Sequence, residues 1–428
     1  MRALVVGGGI GGLATALSLH EAGLEVEVVE SARRLQMFGA GINILPHAVR
    51  ELTELGLGEQ LEASGIATHE LVYHDRFGSR IHAEARGRAA GYRWPQISMH
   101  RGELQRLLLA AVHDRLGRGV VTCGLALERF EQHAGGAIAE VRDRASGALR
   151  TIEADVLVGA DGIDSAVRAQ LHPDEGAARW SGVAMWRGVS EAEPFGSGRT
   201  MIMAGSNRHA KFVAYPIRGH DRRRLVNWVA EVRVAPDGAS ADAHDWQRTS
   251  DPTAVLAHFA GWDFAWLDIP ALIASTSAIF EYPMIDRDPL ARWGAGRVTL
   301  LGDAAHPMYP IGSNGASQAI IDARILAREL ARHADPSVAL AAYEAIRRPA
   351  TADIVLANRT HGPEQVMTIV EQRAPQGFAH VGDVLAPAEL RAIVERYSKT
   401  AGFDVDALNA RPSWSTAATS RRPAHSPA

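Results

Sequence analysis

The chain has 428 residues, of which 46% are hydrophobic and 22% charged, and its formal net charge is −4. That length supports one large domain or two ordinary ones, and the acidic balance removes any electrostatic case for a nucleic-acid partner. The single cysteine, Cys123, excludes an internal disulfide framework and points to the cytoplasm. Of 45 basic residues only Lys211 and Lys399 are lysine, a bias spread along the chain and given no functional weight. No run of residues reaches the length needed to span a membrane.

In chain order, "RALVVGGGIGG" predicts a strand from Ala3 to Val6 running into a glycine turn. The G-x-G-x-x-G pattern falls on Gly7, Gly9 and Gly12. Ala14, Leu17 and Leu19 carry a helix to Gly23, its C-terminal cap. "LEVEVVE" is a second strand ending at Glu30, 18 residues past Gly12, where an acid meets a ribose hydroxyl in a dinucleotide site. Gly7 permits the tight turn, Gly9 the approach of backbone to a pyrophosphate, and Gly12 close packing of helix on strand. The helix N-terminus adds unpaired N–H donors and partial positive charge. This unit fits FAD and NAD(P) alike.

Apolar Leu104, Leu107, Leu108, Ala111 and Val112 give Arg101–Leu116 a buried helical face. A strand over Asp155–Gly159 leads into Asp161-Gly162, where Asp161 and Ser165 can cap a helix containing Arg168, and this placement also offers Asp161 as a second polar contact near a cofactor. "GVAMWRGVS", "RTMIMA", "KFVAYPI" and "RLVNWVAEV" read as strands of one sheet. Met185, Trp186, Met201, Met203, Tyr215 and Trp228 give it an aromatic and sulfur-rich core, with one or two of them lining a flat pocket. "FAGWDFAWLDIP" reads as helix packing. A strand over Arg297–Leu301 ends at Asp303, placed for a sugar or ribityl hydroxyl. Pro307 and Pro310 stiffen the loop that follows, and Gly312, Ser313, Asn314 and Gly315 open a helix whose N-terminus suits the negative charge of a reduced flavin.

These three units, in this order, resemble those of the single-component flavoprotein aromatic hydroxylases, the p-hydroxybenzoate and salicylate hydroxylase group. The family's markers stand at Gly7/Gly9/Gly12, Asp161-Gly162 and Gly302-Asp303, and they span the chain to about residue 365. "GAGINILPHAVRELTELGLG", "ISMHRGELQ", "MWRGV" and "YPMIDRDPL" are similar to segments of the phenazine-modifying monooxygenases within it, a likeness that leaves the substrate open. The resemblance implies an α/β fold: an FAD-binding Rossmann domain of the p-hydroxybenzoate hydroxylase kind, an inserted sheet-rich substrate domain and C-terminal helices. The FAD domain is expected at 1–70, 98–180 and 282–370, the substrate domain at 71–97 and 181–281, a helical segment at 371–399 and a disordered tail at 400–428.

The same resemblance places Glu30 on the adenosine ribose, Arg101 and Gln105 on the FAD sugar and phosphates, and Asp303 on the ribityl chain or pyrophosphate. Asn314 and Gly315 fall at the pyrimidine side of the ring, and Gly41, Ile42 and Asn43 form a loop over its other side. Pro307 shapes the oxygen site. Relatives carry an Arg shortly after the ribose acid; Gln36 stands there, with Arg33 and Arg34 as substitutes. The implied reaction consumes NADPH or NADH, with no resident site for it, and O2. A flavin C4a-hydroperoxide then hydroxylates an aromatic acid or a phenazine-like substrate, with oxidative decarboxylation as a variant. His47, Arg187, Tyr215 and Tyr309 are candidate substrate-activating groups, though a structural role is the favoured reading of each; Arg187 can pair with a substrate carboxylate. No metal-ligand spacing is present. A monomer or homodimer is expected, with no membrane partner. Two other readings stand open: a flavin-dependent reductase or dehydrogenase without oxygen transfer, and a nucleotide-binding regulatory protein.

Overall fold

The computed structural model describes residues 1–35, 39–219, 224–238 and 248–416. Gln36 and the segment 417–428 therefore lie outside the described residues. A five-stranded parallel sheet has the order Val298–Leu300, Val156–Gly159, Arg2–Val6, Glu25–Glu30, Val121–Cys123. The chain leaves the central strand for one side and returns later to the other. A crevice therefore opens at the carboxyl end of Arg2–Val6, where open α/β sheets bind their ligands. The first helix, Ile10–Glu21, buries Leu13 and Leu17 between this sheet and the helix Gly315–Arg332. Gly23, in the left-handed region, donates its N–H to His20 O and ends it. The helix Arg101–Leu116 forms over the expected residues and packs on the first helix.

An eight-stranded sheet follows the order Thr249–Ser250, Ile279–Asp286, Arg179–Ala192, Arg224–Arg233, Ala210–Arg218, Thr200–Gly205, Glu70–His74, Arg80–Ala85. Only the pairing of Thr200–Gly205 with Glu70–His74 is parallel. The two-residue period sorts its faces. Trp186, Phe212, Trp228 and Ala230 point outward against helices Pro252–Phe259 and Ile269–Ala274. Arg187, Met203, Lys211, Val213, Tyr215, Val229 and Glu231 point the other way, toward the crevice.

Three expectations need correction. Gly41–Ile44 is a strand rather than a loop, paired antiparallel with Gln96–His100, since Ile42 and Ile44 suit a pleated, half-buried surface. "FAGWDFAWLDIP" is not a packed helix. It closes the helix Pro252–Phe259, turns through a two-residue ladder of Asp263–Phe264 with Leu267–Asp268, and starts the helix Ile269–Ala274, which Asp268 caps. Residues 401–416 are structured, with a helix over Val405–Ala410. Buried Arg50 donates to Leu408 O at 2.9 Å and Arg411 O at 2.7 Å, and Trp414 lies under the Arg411 guanidinium.

Candidate active site

The glycine unit is built from close contacts. A Cβ on Gly12 would lie 1.9 Å from Gly7 O, and one on Gly7, itself at φ +112°, would lie 2.3 Å from Ala160 O. Helix and both strands therefore meet backbone to backbone. A Cβ on Gly9 would meet no protein atom within 4 Å, so that position faces open space at the helix N-terminus. Glu30 closes the unit from behind: its Oε2 accepts the Gly8 N–H at 2.7 Å and its Oε1 the Ala32 N–H at 2.7 Å. Gln105 donates to Gly8 O at 3.0 Å, which places its amide against the glycine loop rather than in the crevice.

One cavity of about 330 Å³ runs from this loop to the inner face of the large sheet. Gly9, Gly41, Ile42, Arg101, Gly162, Asp303, Asn314 and Gly315 line the end nearest the glycine loop. Asp161 stands behind it as a cap: its carboxylate takes the Ser165 hydroxyl at 2.5 Å and the Ala166 N–H at 2.8 Å. Burial pushes the Asp161 carboxyl up, against those hydrogen bonds. Pro307 is buried and does not line the cavity; Met308 and Pro310 do. Gly312 is held at φ +68° against Tyr397, where a Cβ would clash with the ring.

The loop Gly302–Asn314 is pinned from beneath. Asp322, fully buried, accepts the Gly302 N–H at 3.0 Å and lies 2.6 Å from both His306 Nε2 and Arg347 Nε. Arg347 also donates to Gln318, whose amide reaches Asn314 Oδ1 at the loop's far end. From the other side Arg168, 2% exposed, donates to Ala304 O at 3.0 Å and Ala305 O at 2.9 Å. The second motif's helix thus fixes the third motif's loop.

The cavity floor shows a pattern across strands. Tyr215 pairs with Asn227; then Met203, Val213, Val229 and Arg187 form one row; then Lys211 pairs with Glu231. The outer rows lie four residues apart, about 13 Å at the strand rise. The Asn227 end abuts the strand Gly41–Ile44, since Gly41 N–H donates to Asn227 Oδ1 and a Cβ on Gly41 would touch Tyr215. Burial pushes the Tyr215 phenol up, outweighing the nearby Arg187 charge. Among the described residues, Arg187 Nε is buried without a hydrogen-bond partner. Such orphans are rare in native proteins and fit a polar ligand group.

His47 and Tyr309 are not cavity residues. His47 stacks on Phe403, and burial, reinforced by Arg347 and Arg411, lowers its pKa to about 3, so it stays neutral. Tyr309 packs with Met185, Met284 and Ile311. Sequence reasoning missed Lys211, Glu231 and Glu364, all of which line the cavity. The available signal was Lys211 itself, one of two lysines, at an inward position of an alternating strand. Among the described residues no three His, Cys, Asp or Glu side chains converge as a metal site, and no helix is long and apolar enough to cross a membrane.

A family model described as "FAD binding domain" matches residues 1–358. The phenazine 1,6-dicarboxylic acid hydroxylase PhzS of Lysobacter antibioticus is 46% identical over 398 residues, covering 92% of this chain and 97% of that protein. The 3-hydroxybenzoate 6-hydroxylase of Polaromonas naphthalenivorans is 33% identical over 367 residues, 84% of this chain and 86% of that one. The crystal structure of Klebsiella pneumoniae HpxO complexed with FAD and uric acid superposes with a TM-score of 0.74 at 25% identity, over 96% of this chain and 97% of that one. The crevice at the sheet switch point, the backbone-tight glycine unit and the pinned loop facing it are the parts such a cofactor needs, and the chain belongs to the FAD binding domain family, among its flavin-dependent aromatic hydroxylases.

Proposed function

We propose that this enzyme hydroxylates a flat, multi-ring aromatic acid at the expense of NAD(P)H and O2, with phenazine carboxylates as the leading class. The observation that carries this is the cavity floor: a middle of apolar Met201, Met203, Val213 and Val229, flanked on one side by Arg187, between polar ends about 13 Å apart. A single benzoate ring leaves much of that strip uncovered, whereas a tricyclic system spans it. The 46% identity to a phenazine hydroxylase supports the same class.

The cofactor's holders follow from position. Gly9 and the N-terminus of the first helix would take the pyrophosphate, on a turn that Gly7 and Gly12 make possible, and Glu30 would close the ribose end. Arg101 and Asp303 take the phosphate and ribityl region, and Gly41, Ile42, Asn314 and Gly315 flank the ring. Bound FAD supplies hydride acceptance from NAD(P)H and activation of O2 for transfer of one oxygen atom to the substrate. The N-terminus of Gly315–Arg332 favours negative charge on the ring's pyrimidine side. The methionines and valines keep water from the reacting ring, and Tyr215, held neutral by burial, can hydrogen-bond a substrate oxygen. Arg187, with its free Nε, binds the substrate carboxylate. The single cysteine supports a cytoplasmic location.

The test is NADH and NADPH oxidation in air by FAD-loaded protein, with and without phenazine and benzoate acids, products weighed by mass spectrometry. A compound that speeds oxidation and gains one oxygen atom is the expected result. Substrate reduction without oxygen uptake would instead make this a reductase. Arg187→Met is expected to keep its flavin and to lose about 100-fold in kcat/KM for the carboxylate substrate, mostly through KM, as a lost charge-assisted bond of about 2–3 kcal/mol dictates. An unchanged KM would remove Arg187 from carboxylate binding.

A further inference from the structure

The cavity's far end holds an unusual group. Lys211, 1% exposed, has its Nζ 2.8 Å from Glu231 Oε2 and hydrogen-bonded to Glu364 Oε2. Glu231 is 4% and Glu364 3% exposed, and all three line the cavity. Lys211 and Glu231 face each other on neighbouring strands, while Glu364 comes from the turn Gly362–Glu364. One lysine thus serves two carboxylates. Glu231 thus shares the Lys211 ammonium with Glu364 and takes a further hydrogen bond from the Asn207 side chain.

Burial costs of this size need a reason. A buried ion pair is seldom the cheapest way to hold a sheet against a turn, since apolar residues do that as well or better. The surrounding Met203, Val213 and Val229 show the apolar alternative in place one row away. The cluster lines the far end of a cavity that the substrate must enter.

Resting on the reading of this cavity as the substrate pocket, we propose that Lys211, Glu231 and Glu364 form a specificity subsite for a neutral hydrogen-bond donor, such as a ring hydroxyl, at the end of the substrate remote from the flavin. The hydroxyl donates a hydrogen bond to the Glu231 carboxylate and keeps its proton, and its oxygen accepts from the Lys211 ammonium. An ionised carboxylate at that position meets two carboxylates against one ammonium and is rejected. Burial pushes the Glu231 carboxyl up while Lys211 pulls it back; the same two carboxylates hold the Lys211 ammonium charged against its own burial. With two carboxylates to one ammonium the cluster offers acceptors in excess, which favours a neutral donor over an anion. Arg187, one row nearer the flavin, keeps the substrate's own carboxylate. The pocket thus reads its substrate by polarity: anion in the middle, neutral donor at the far end.

The probe set is phenazine-1-carboxylate bearing hydrogen, hydroxyl, methoxy or carboxylate at the opposite end of the ring system. Binding is read from the flavin difference spectrum, and turnover from NADPH oxidation at pH 8. In the wild type the hydroxyl compound is expected to bind at least about tenfold tighter than the methoxy and carboxylate compounds. Glu231→Leu should level that series while leaving the unsubstituted compound within about twofold. Glu231→Gln, which keeps size and an acceptor, should retain the hydroxyl preference and relax the rejection of carboxylate. Flavin content and melting temperature of each variant identify a folding defect, in which case the Gln variant decides. A wild type that ranks the four compounds alike, or a Glu231→Leu that weakens all four equally, overturns the subsite and leaves the hydroxylase reading standing. A wild type whose flavin spectrum responds to none of them, and to no benzoate acid, overturns both.

Discussion

Gly12→Val is expected to give a colourless protein. The added Cβ would lie 1.9 Å from Gly7 O and 3.1 Å from Gly7 C, both backbone atoms that cannot swing aside. The first helix must then move off the sheet by more than an ångström, and its N-terminus leaves the pyrophosphate. Displacement on that scale costs on the order of 100-fold in a positioned site, so flavin is lost on purification. Gly9→Ala is the informative companion. Its Cβ would meet nothing within 4 Å, and its φ of −72° is ordinary for alanine. The flavin-free variant should melt with the flavin-free wild type, yet bind FAD at least about tenfold more weakly, because the methyl group occupies the space where the ligand approaches. Equal FAD affinity for Gly9→Ala and wild type would show that no pyrophosphate sits there. The pair separates a glycine needed by the fold from one needed by the cofactor.

What was legible in the sequence was local. Gly7, Gly9 and Gly12 could be assigned because a strand, a turn and a helix fall within some 20 consecutive residues, each with its own signal. Arg101–Leu116 was readable to its ends because Leu104, Leu107, Leu108, Ala111 and Val112 repeat on one face. Longer-range features were not. Lys211 and Glu231 stand on neighbouring strands, and Glu364 lies 133 residues beyond Glu231; only strand register and the return of the C-terminal segment join them. In a sequence, a lysine alternating with Val213 and Tyr215 reads as the wet face of a strand. Here both faces are covered, so the alternation carries no such meaning. Val405–Ala410 was read as tail because residues 400–428 are small, polar and Pro-containing. Arg50, some 350 residues upstream, supplies the order through Leu408 O and Arg411 O.

Asp322→Asn tests whether the loop from Gly302 to Asn314 depends on what lies under it. The native carboxylate is fully buried, and burial alone would raise its pKa. The His306 and Arg347 side chains outweigh that and hold it at about 2, below an ordinary 3.8. A carboxyl depressed in the folded state adds stability above its unfolded pKa and loses it as pH falls through the folded value. The window here is about pH 4 down to about pH 2, and the contribution is about 2–3 kcal/mol. The asparagine keeps the shape but leaves the Arg347 guanidinium buried without its counter-charge, a loss of about 3–5 kcal/mol at neutral pH. Denaturant melts of flavin-free protein should show that loss at pH 7, and the gap to wild type should narrow below pH 4. A pH-independent gap would mean that Asp322 acts by shape alone. Arg347→Met added to Asp322→Asn removes the stranded charge and should recover part of the stability. It should not recover FAD affinity, because Asn314 and Gln318 would remain without the guanidinium that aligns them. Stability regained without flavin regained would locate the network's contribution in the geometry of the cofactor loop rather than in the bulk of the core.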